Sequence, residues 1–232
     1  MSVLHRHSHG LYCPAADAWI DPQRPVERAV ITHAHADHAK AGCNEYWAID
    51  QSEGVLRQRL GRNIKLHSMT YGEEFTLGKA KLSLHSAGHV LGSAQIRIEV
   101  QGEVWLVTGD YKRCDDPSCD PFESVKCDVL ITESTFGLPI YRWEPGKDVA
   151  KDIYKWWNTQ TEHPSILFCY AFGKAQRVLA ELKSMGIKDE VLLHGAVETI
   201  TKHYREAGVE MCPTIIVLTR MQHLLKGFAK RV

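Results

Sequence analysis

The chain has 232 residues, of which 44% are hydrophobic and 24% are charged, with 28 lysines and arginines against 28 aspartates and glutamates. This composition is typical of a globular protein and excludes an intrinsically disordered chain or a collagen-like fibre. The net charge of zero disfavours general binding of polyanions, so any contact with nucleic acid is expected to be local.

The first half of the chain is predicted to be rich in strands. Short β-like runs end in polar or glycine-rich loops over residues 29–32, 46–49, 81–85, 95–100, 104–108 and 129–132. One helix is predicted among them, over 51–60, with Gly61 ending it.

After Pro145 the pattern changes to alternating elements. Helices are predicted over 149–157, 174–185 and 197–206, and strands over 165–170, 191–193 and 215–218. This order with short connections predicts a βαβαβ unit with a parallel sheet. We therefore expect a core domain over 1–145, an α/β segment over 146–218 and a basic tail without a match over 219–232.

Neither a membrane span nor a secretory signal is predicted. No stretch approaches the roughly 20 apolar residues that cross a bilayer, and the start MSVLHRHSHG is polar and histidine-rich. The seven cysteines form no Cys-x-x-Cys pair and lie mostly in or beside apolar runs, which is typical of reduced, buried thiols. These features predict a cytoplasmic protein.

The motif Thr32-His-Ala-His-Ala-Asp-His38 directly follows an apolar run and carries most of the functional signal. Three imidazoles and one carboxylate lie within six residues, separated by small alanines that suit a strand-to-helix loop with converging side chains. Nitrogen and oxygen ligands of this kind suit zinc and tolerate manganese or iron. The motif predicts a metal site, and the alternative is a solvated histidine-rich loop.

Two further polar residues follow predicted strands in the same way. His89 lies between two glycines, Gly88 and Gly92, which would allow its backbone to approach another loop. Asp110 follows the apolar run 105–107. Each residue alone is typical of a cap or a turn, but together with the first motif they predict one metal centre.

These motifs resemble the metallo-β-lactamase superfamily. The run 87–94, the segment Thr108-Gly-Asp-Tyr-Lys-Arg113 and the segment Ile131-Thr-Glu-Ser-Thr-Phe-Gly137 are similar to its β-CASP branch of nucleases. Residues 115–123 and 136–143 resemble the bacterial DNA-ligase-associated exonucleases within that branch. The resemblance implies an α/β fold, an αββα metallo-β-lactamase sandwich, incomplete here, with a Rossmann-like β-CASP insert.

The resemblance also implies a site with two divalent ions, zinc with manganese as the alternative. The implied ligands are His33, His35 and His89 for the first ion, Asp37 and His38 for the second, and Asp110 bridging both. Such a pair of ions suits the hydrolysis of a phosphodiester. Asp37, Asp110 and Glu133 are the implied catalytic residues, with Glu133 orienting a ligand or a proton donor; the alternative for Glu133 is a cap or turn acid.

The family pattern has two later histidines, in a Ser-x-His-x-Asp segment and in a strand followed by His-Gly, for which this sequence offers no return segment. Leu-Leu-His194-Gly imitates the second, but we interpret His194 as a strand-end residue of the insert. A truncated gene product or a fragment is one interpretation of this difference.

Lys112 and Arg113 lie beside Asp110 and are candidate substrate contacts, because grooves that bind single-stranded nucleic acid combine cations with aromatic rings. The sequence thus favours a metal-dependent nuclease, a DNA exonuclease of repair, with DNA as substrate and a DNA ligase and a helicase as partners implied by the resemblance. The alternatives are an RNA-processing β-CASP nuclease, a glyoxalase-like hydrolase of esters or thioesters, and a catalytically impaired metal-binding fragment.

Overall fold

The computed structural model describes residues 2–159 and 165–217. The chain divides into two compact units, Met1–Glu144 and Pro145–Val232. The predicted tail 219–232 and the last residue of the predicted strand 215–218 lie outside the described residues.

The first unit contains a six-stranded sheet in which the strands follow one another in chain order. Its strands are β1 (His5–His7), β2 (Gly10–Cys13), β3 (Ala18–Ile20), β4 (Arg28–Val30), β5 (Glu45–Ile49) and β6 (Leu66–Met69). The first three strands pair antiparallel, whereas β3 to β6 pair parallel. Between β5 and β6 the chain forms the short helical turn Asp50–Ser52 and helix α1 (Glu53–Leu60), which Gly61 ends as predicted.

A second sheet of five strands has the order β11-β10-β9-β8-β7. Its strands are β7 (Glu74–Leu77), β8 (Ala80–Ser86), β9 (Ala94–Val100), β10 (Glu103–Val107) and β11 (Val129–Ile131). Strands β7 to β10 form an antiparallel meander, and β11 joins β10 in parallel. Each predicted strand of the first half is present here or in the six-stranded sheet.

The two sheets share one hydrophobic core. It includes Ile20 and Val30 from the six-stranded sheet and Leu82, Leu84 and Ile96 from the five-stranded sheet. In β8 and β9 these apolar residues alternate with polar ones, so each strand turns one apolar face to the core. The result is the β-sandwich that the sequence predicts.

The described residues of the second unit form three helices and a two-stranded parallel sheet. The helices are α2 (Gly146–Thr159), α3 (Lys174–Ser184) and α4 (Gly195–Glu206), and the strands are β12 (Val191–His194) and β13 (Thr214–Val217). The predicted strand over 165–170 is wrong, because these residues form no regular secondary structure. Phe168 is 93% exposed, so the apolar run is not a buried central strand.

Two other expectations are tested here. All seven cysteines lie among the described residues and form no disulfide, but only Cys13 and Cys212 are buried, so the expectation of mostly buried thiols is wrong. In the described part of the chain, no helix has the length and apolar character needed to cross a membrane.

Candidate metal centre

The histidine motif leaves the end of β4 and folds into a compact loop held by backbone and side-chain hydrogen bonds. The Ile31 N–H donates to the Trp47 carbonyl on β5, and Arg59 of α1 donates to the Ala34 carbonyl at 2.6 Å. No helix follows the motif directly; it ends in a turn in which Ala39 N–H bonds to His35, and β5 comes next. The expected strand-to-helix loop is therefore wrong, although the side chains do converge.

Four ligand-type side chains from three loops meet at one point. His33, His35, His89 and Asp110 each place one ligand atom within 4.8 Å of those of the other three. His33 Nε2 lies 2.8 Å from His35 Nδ1, and His89 Nε2 lies 3.3 Å from the same atom. Imidazole nitrogens and a carboxylate at this spacing match the donor set of a tetrahedral zinc site.

Asp110 faces two groups of residues with its two oxygens. Its Oδ2 lies 3.9 Å from His33 Nε2 and 3.7 Å from His89 Nε2. Its Oδ1 lies 3.4 Å from His38 Nε2, and that nitrogen is 3.7 Å from Asp37 Oδ2. Asp110 thus belongs to the four-residue cluster through Oδ2 and faces a second group, formed by Asp37 and His38, through Oδ1.

Glycines allow the loops to come this close. Gly109, beside Asp110, has a φ of 54°, and a Cβ on it would lie 2.6 Å from the Thr32 Cβ. Gly88, beside His89, has a φ of 68°, and a Cβ there would collide with the Lys112 carbonyl. Both positions favour glycine by conformation and by space, as predicted for the glycines around His89.

Asp21 organises the motif from behind, and sequence reasoning missed it. Its carboxylate accepts hydrogen bonds from the Thr32 N–H at 2.8 Å, from the Thr32 hydroxyl at 2.5 Å and from His38 Nδ1 at 2.7 Å. His38 Nε2 is therefore the nitrogen that faces Asp110. The signal was available, because Asp21 follows Ile20 at the end of β3 just as Asp110 follows β10, but β3 has only three residues.

Thr32 fixes the tautomer of His33. Because its hydroxyl proton is given to Asp21, the Thr32 oxygen accepts from His33 Nδ1, 3.1 Å away. The Nε2 of His33 then carries its lone pair toward the cluster. This arrangement of a histidine held by its other nitrogen is the one that metal-binding histidines use.

The protonation states separate the two groups. Burial and three neighbouring histidines lower the pKa of His33 well below its ordinary value, and burial and His35 lower the pKa of His89 to about 4. For His38, burial opposes the charge, but hydrogen bonds to Asp110 and Asp21 raise the pKa to about 10. The hydrogen bond to His38 in turn lowers the pKa of Asp110. His33 and His89 are thus held neutral, as metal ligands must be, whereas a cation near His38 must displace a proton.

A cavity of about 610 Å³ opens on the second group. Asp37, His38, Asp110 and Glu133 all line it, and its volume lies in the range typical of small-ligand sites.

The chain is similar to several known proteins. The chain is 32% identical over 213 residues to a Probable DNA ligase of Opitutus terrae, covering 90% of this chain and 21% of that protein. It is 31% identical over 152 residues to Cleavage and polyadenylation specificity factor subunit 3 of Dictyostelium discoideum, covering 64% of this chain and 19% of the relative. It is 33% identical over 120 residues to Endoribonuclease YSH1 of Gibberella zeae, covering 50% of this chain and 14% of the relative.

The chain is similar to these relatives, which are proteins of the β-CASP branch of the metallo-β-lactamase superfamily, as the sequence motifs predict. It spans about a fifth or less of the length of these curated relatives. No family model matches it.

The solved structures show the fold. The chain superposes on a protein of unknown function from Enterococcus faecalis with a TM-score of 0.57 at 8% identity, covering 83% of this chain and 51% of that one. The predicted α/β sandwich class is confirmed.

Glu133, the acid before Ser-Thr in the β-CASP motif, follows β11 and lines the cavity with Asp110. Its carboxylate also accepts a hydrogen bond from the Thr135 N–H at 2.7 Å. The residue therefore shows features of both interpretations, an acid at the site and an acid that holds its own turn, and its catalytic role stays a prediction.

The two candidate substrate cations are placed differently from the ligands. The Lys112 ammonium forms an ion pair with Asp116, whose side chain is only 4% exposed. This pair holds the loop after Asp110. Neither Lys112 nor Arg113 lines the cavity, so their contact with substrate stays a prediction without geometric support.

His194 ends β12 in the second unit. Its Nδ1 accepts a hydrogen bond from the Ala196 N–H at the start of α4, at 3.2 Å. The sequence analysis interprets His194 as a strand-end residue, and the structure adds that it caps α4.

Proposed function

We propose that this chain carries the metal centre of a β-CASP nuclease that hydrolyses phosphodiester bonds of single-stranded DNA, as an exonuclease in repair. The observation that carries the proposal is the Asp110 carboxylate, whose two oxygens face two separate groups of ligand-type residues. A shared carboxylate between two ligand sets is the arrangement of a two-metal site.

The donor set fits divalent ions, with zinc or manganese proposed. His33, His35 and His89 would hold the first ion and Asp37 and His38 the second, with Asp110 shared. Two bound ions supply an activated water and stabilise both the attacking and the leaving oxygen of a phosphodiester. Side chains of this chain would orient the ligands and supply the proton for the leaving oxygen.

Asp21 keeps the His38 ring in place through its Nδ1, so that Nε2 stays directed at the site. Thr32 does the same for His33. Glu133, on the cavity wall near Asp110, is the proposed group that orients a ligand or gives a proton to the leaving oxygen.

DNA is the proposed substrate because the relative that matches 90% of this chain is named Probable DNA ligase. The same relative supports the proposal that the chain works beside a DNA ligase, and a helicase is a further proposed partner. RNA is the second candidate, because relatives matching 50% to 64% of the chain are named as a polyadenylation factor subunit and endoribonucleases.

The test is hydrolysis of end-labelled single-stranded DNA, matching RNA and a thioester by the protein loaded with zinc or manganese. We expect DNA to be shortened one nucleotide at a time from an end, and Asp110→Asn to abolish the reaction. Internal cleavage of RNA alone would instead indicate an RNA-processing endonuclease. Hydrolysis of the thioester alone would exclude a nuclease.

A further inference from the structure

We propose that Arg6 binds a phosphate of the nucleic-acid strand next to the phosphate that is cleaved. The inference rests on the proposed nuclease function and adds a residue that fixes the position of the substrate. Arg6 lies on the wall of the cavity that is farthest from the ligand loops.

The charge of the cavity is strongly uneven. Four acids line it, Asp21, Asp37, Asp110 and Glu133. Arg6 is the one lysine or arginine among its described lining residues. A polyanion cannot enter an acidic cavity unless cations neutralise it, and bound metal ions would do so only around Asp110. Arg6 is the cation available on the remaining wall.

The strand register places Arg6 at the far end of the cavity floor. Arg6 pairs with Leu11, and Leu11 pairs with Ile20, so these three residues form one row across β1, β2 and β3. All three line the cavity. Adjacent strands lie about 4.8 Å apart, so Arg6 stands about 10 Å from Ile20, the residue before Asp21.

This separation decides which phosphate Arg6 contacts. The phosphate that reacts belongs beside Asp110 and His38, at the Asp21 end of the floor. Arg6 is two strands away from that end, and its side chain is exposed at the cavity rim. The position suits a neighbouring phosphate on the same strand, with the part-buried Leu11 in the row between the two phosphates.

The guanidinium is also free for this task. No described carboxylate forms an ion pair with Arg6, although the cavity contains four acids. A planar guanidinium can give two parallel hydrogen bonds to one phosphate, which a lysine cannot do.

Binding of a strand that resists hydrolysis tests the inference independently of catalysis. Fluorescence anisotropy of a labelled phosphorothioate DNA strand with the zinc-loaded protein, over a range of salt concentrations, would compare the full chain with Arg6→Gln, Arg6→Lys and the control Arg62→Gln. Arg62 is an exposed arginine outside the cavity lining. We expect Arg6→Gln to weaken binding about 10-fold and to reduce the slope of log K against log salt by about 0.7. The affinity of Arg6→Lys should lie between those of wild type and Arg6→Gln, and the affinity of Arg62→Gln should equal that of wild type.

A second readout separates positioning from general damage. Bis(p-nitrophenyl) phosphate has one phosphate only, so the metal-loaded Arg6→Gln variant should hydrolyse it at the wild-type rate while its KM for DNA rises. Equal binding by Arg6→Gln and Arg62→Gln, or no binding of DNA by wild type, would overturn the inference. Binding that depends on Arg6 without any hydrolysis would uphold it and refute the proposed nuclease function instead.

Discussion

Replacement of Asp21 by asparagine is expected to weaken metal binding although Asp21 is not a proposed ligand. The Asp21 carboxylate receives three hydrogen bonds, two from Thr32 and one from His38. An asparagine side chain keeps one acceptor oxygen, turns an NH2 group toward donors and removes the negative charge. The His38 ring and the Thr32 hydroxyl then lose the contacts that direct them.

The size of the effect follows from these contacts. Partners that orient a metal-binding histidine typically contribute 10- to 100-fold to metal affinity, so we expect a loss in that range at the His38 side. Because a buried donor loses a charged acceptor, the free energy of unfolding should fall by about 1–3 kcal/mol. Metal affinity at His33, His35 and His89 should fall less, because only the contact between Thr32 and His33 links these ligands to Asp21.

The assay is competition with a chelator of known affinity, read as two dissociation constants, together with urea unfolding of the metal-free protein. The matched control is Asp17→Asn, because Asp17 lies beside β3 but forms an exposed ion pair with Arg28 at 3.4 Å; such pairs contribute about 0–1 kcal/mol. Equal metal affinities of wild type, Asp21→Asn and Asp17→Asn would refute the positioning role of Asp21.

Two further predictions concern the loops and the acid sensitivity. Gly109→Ala adds a Cβ at a φ of 54° and 2.6 Å from Thr32. The substitution should lower the free energy of unfolding by at least about 1 kcal/mol and displace Asp110. Calorimetric titration should therefore show weaker metal binding, and metal affinity equal to wild type would contradict the close approach of the two loops. Glu53 receives hydrogen bonds from Ser68 and Arg57, which lower its pKa, so its contribution is present above its unfolded pKa and disappears as pH falls through the lower folded value. Because the side chain is 38% exposed, Glu53→Gln should cost less than about 1 kcal/mol at pH 7 and nothing at pH 2 in urea unfolding; an equal cost at both pH values would contradict this.

Long apolar strands and the metal motif were predictable from sequence because their patterns are local. Strands β8 to β10 have five to seven residues, and the core residues of β8 and β9 alternate with polar ones. His89 and Asp110 follow such strands, and His33 follows the apolar run at the end of β4, so their convergence could be expected from the sequence.

Short elements were missed because three residues carry little periodicity. Strands β1 and β3 have three residues each, and their sheet partners, not their own sequence, stabilise them. Asp21 and Arg6 depend on these strands and were missed with them. The opposite error occurs at 165–170, where an apolar run suggested a strand but, within the described chain, no strand forms.

The measurement that tests the central claim most directly is anomalous diffraction from crystals of the protein grown with manganese. The account predicts two peaks about 3.5–4 Å apart, with the Asp110 carboxylate between them, one beside His33 and His89 and the other beside His38. A single peak at full occupancy, or two peaks that do not share Asp110, would contradict it.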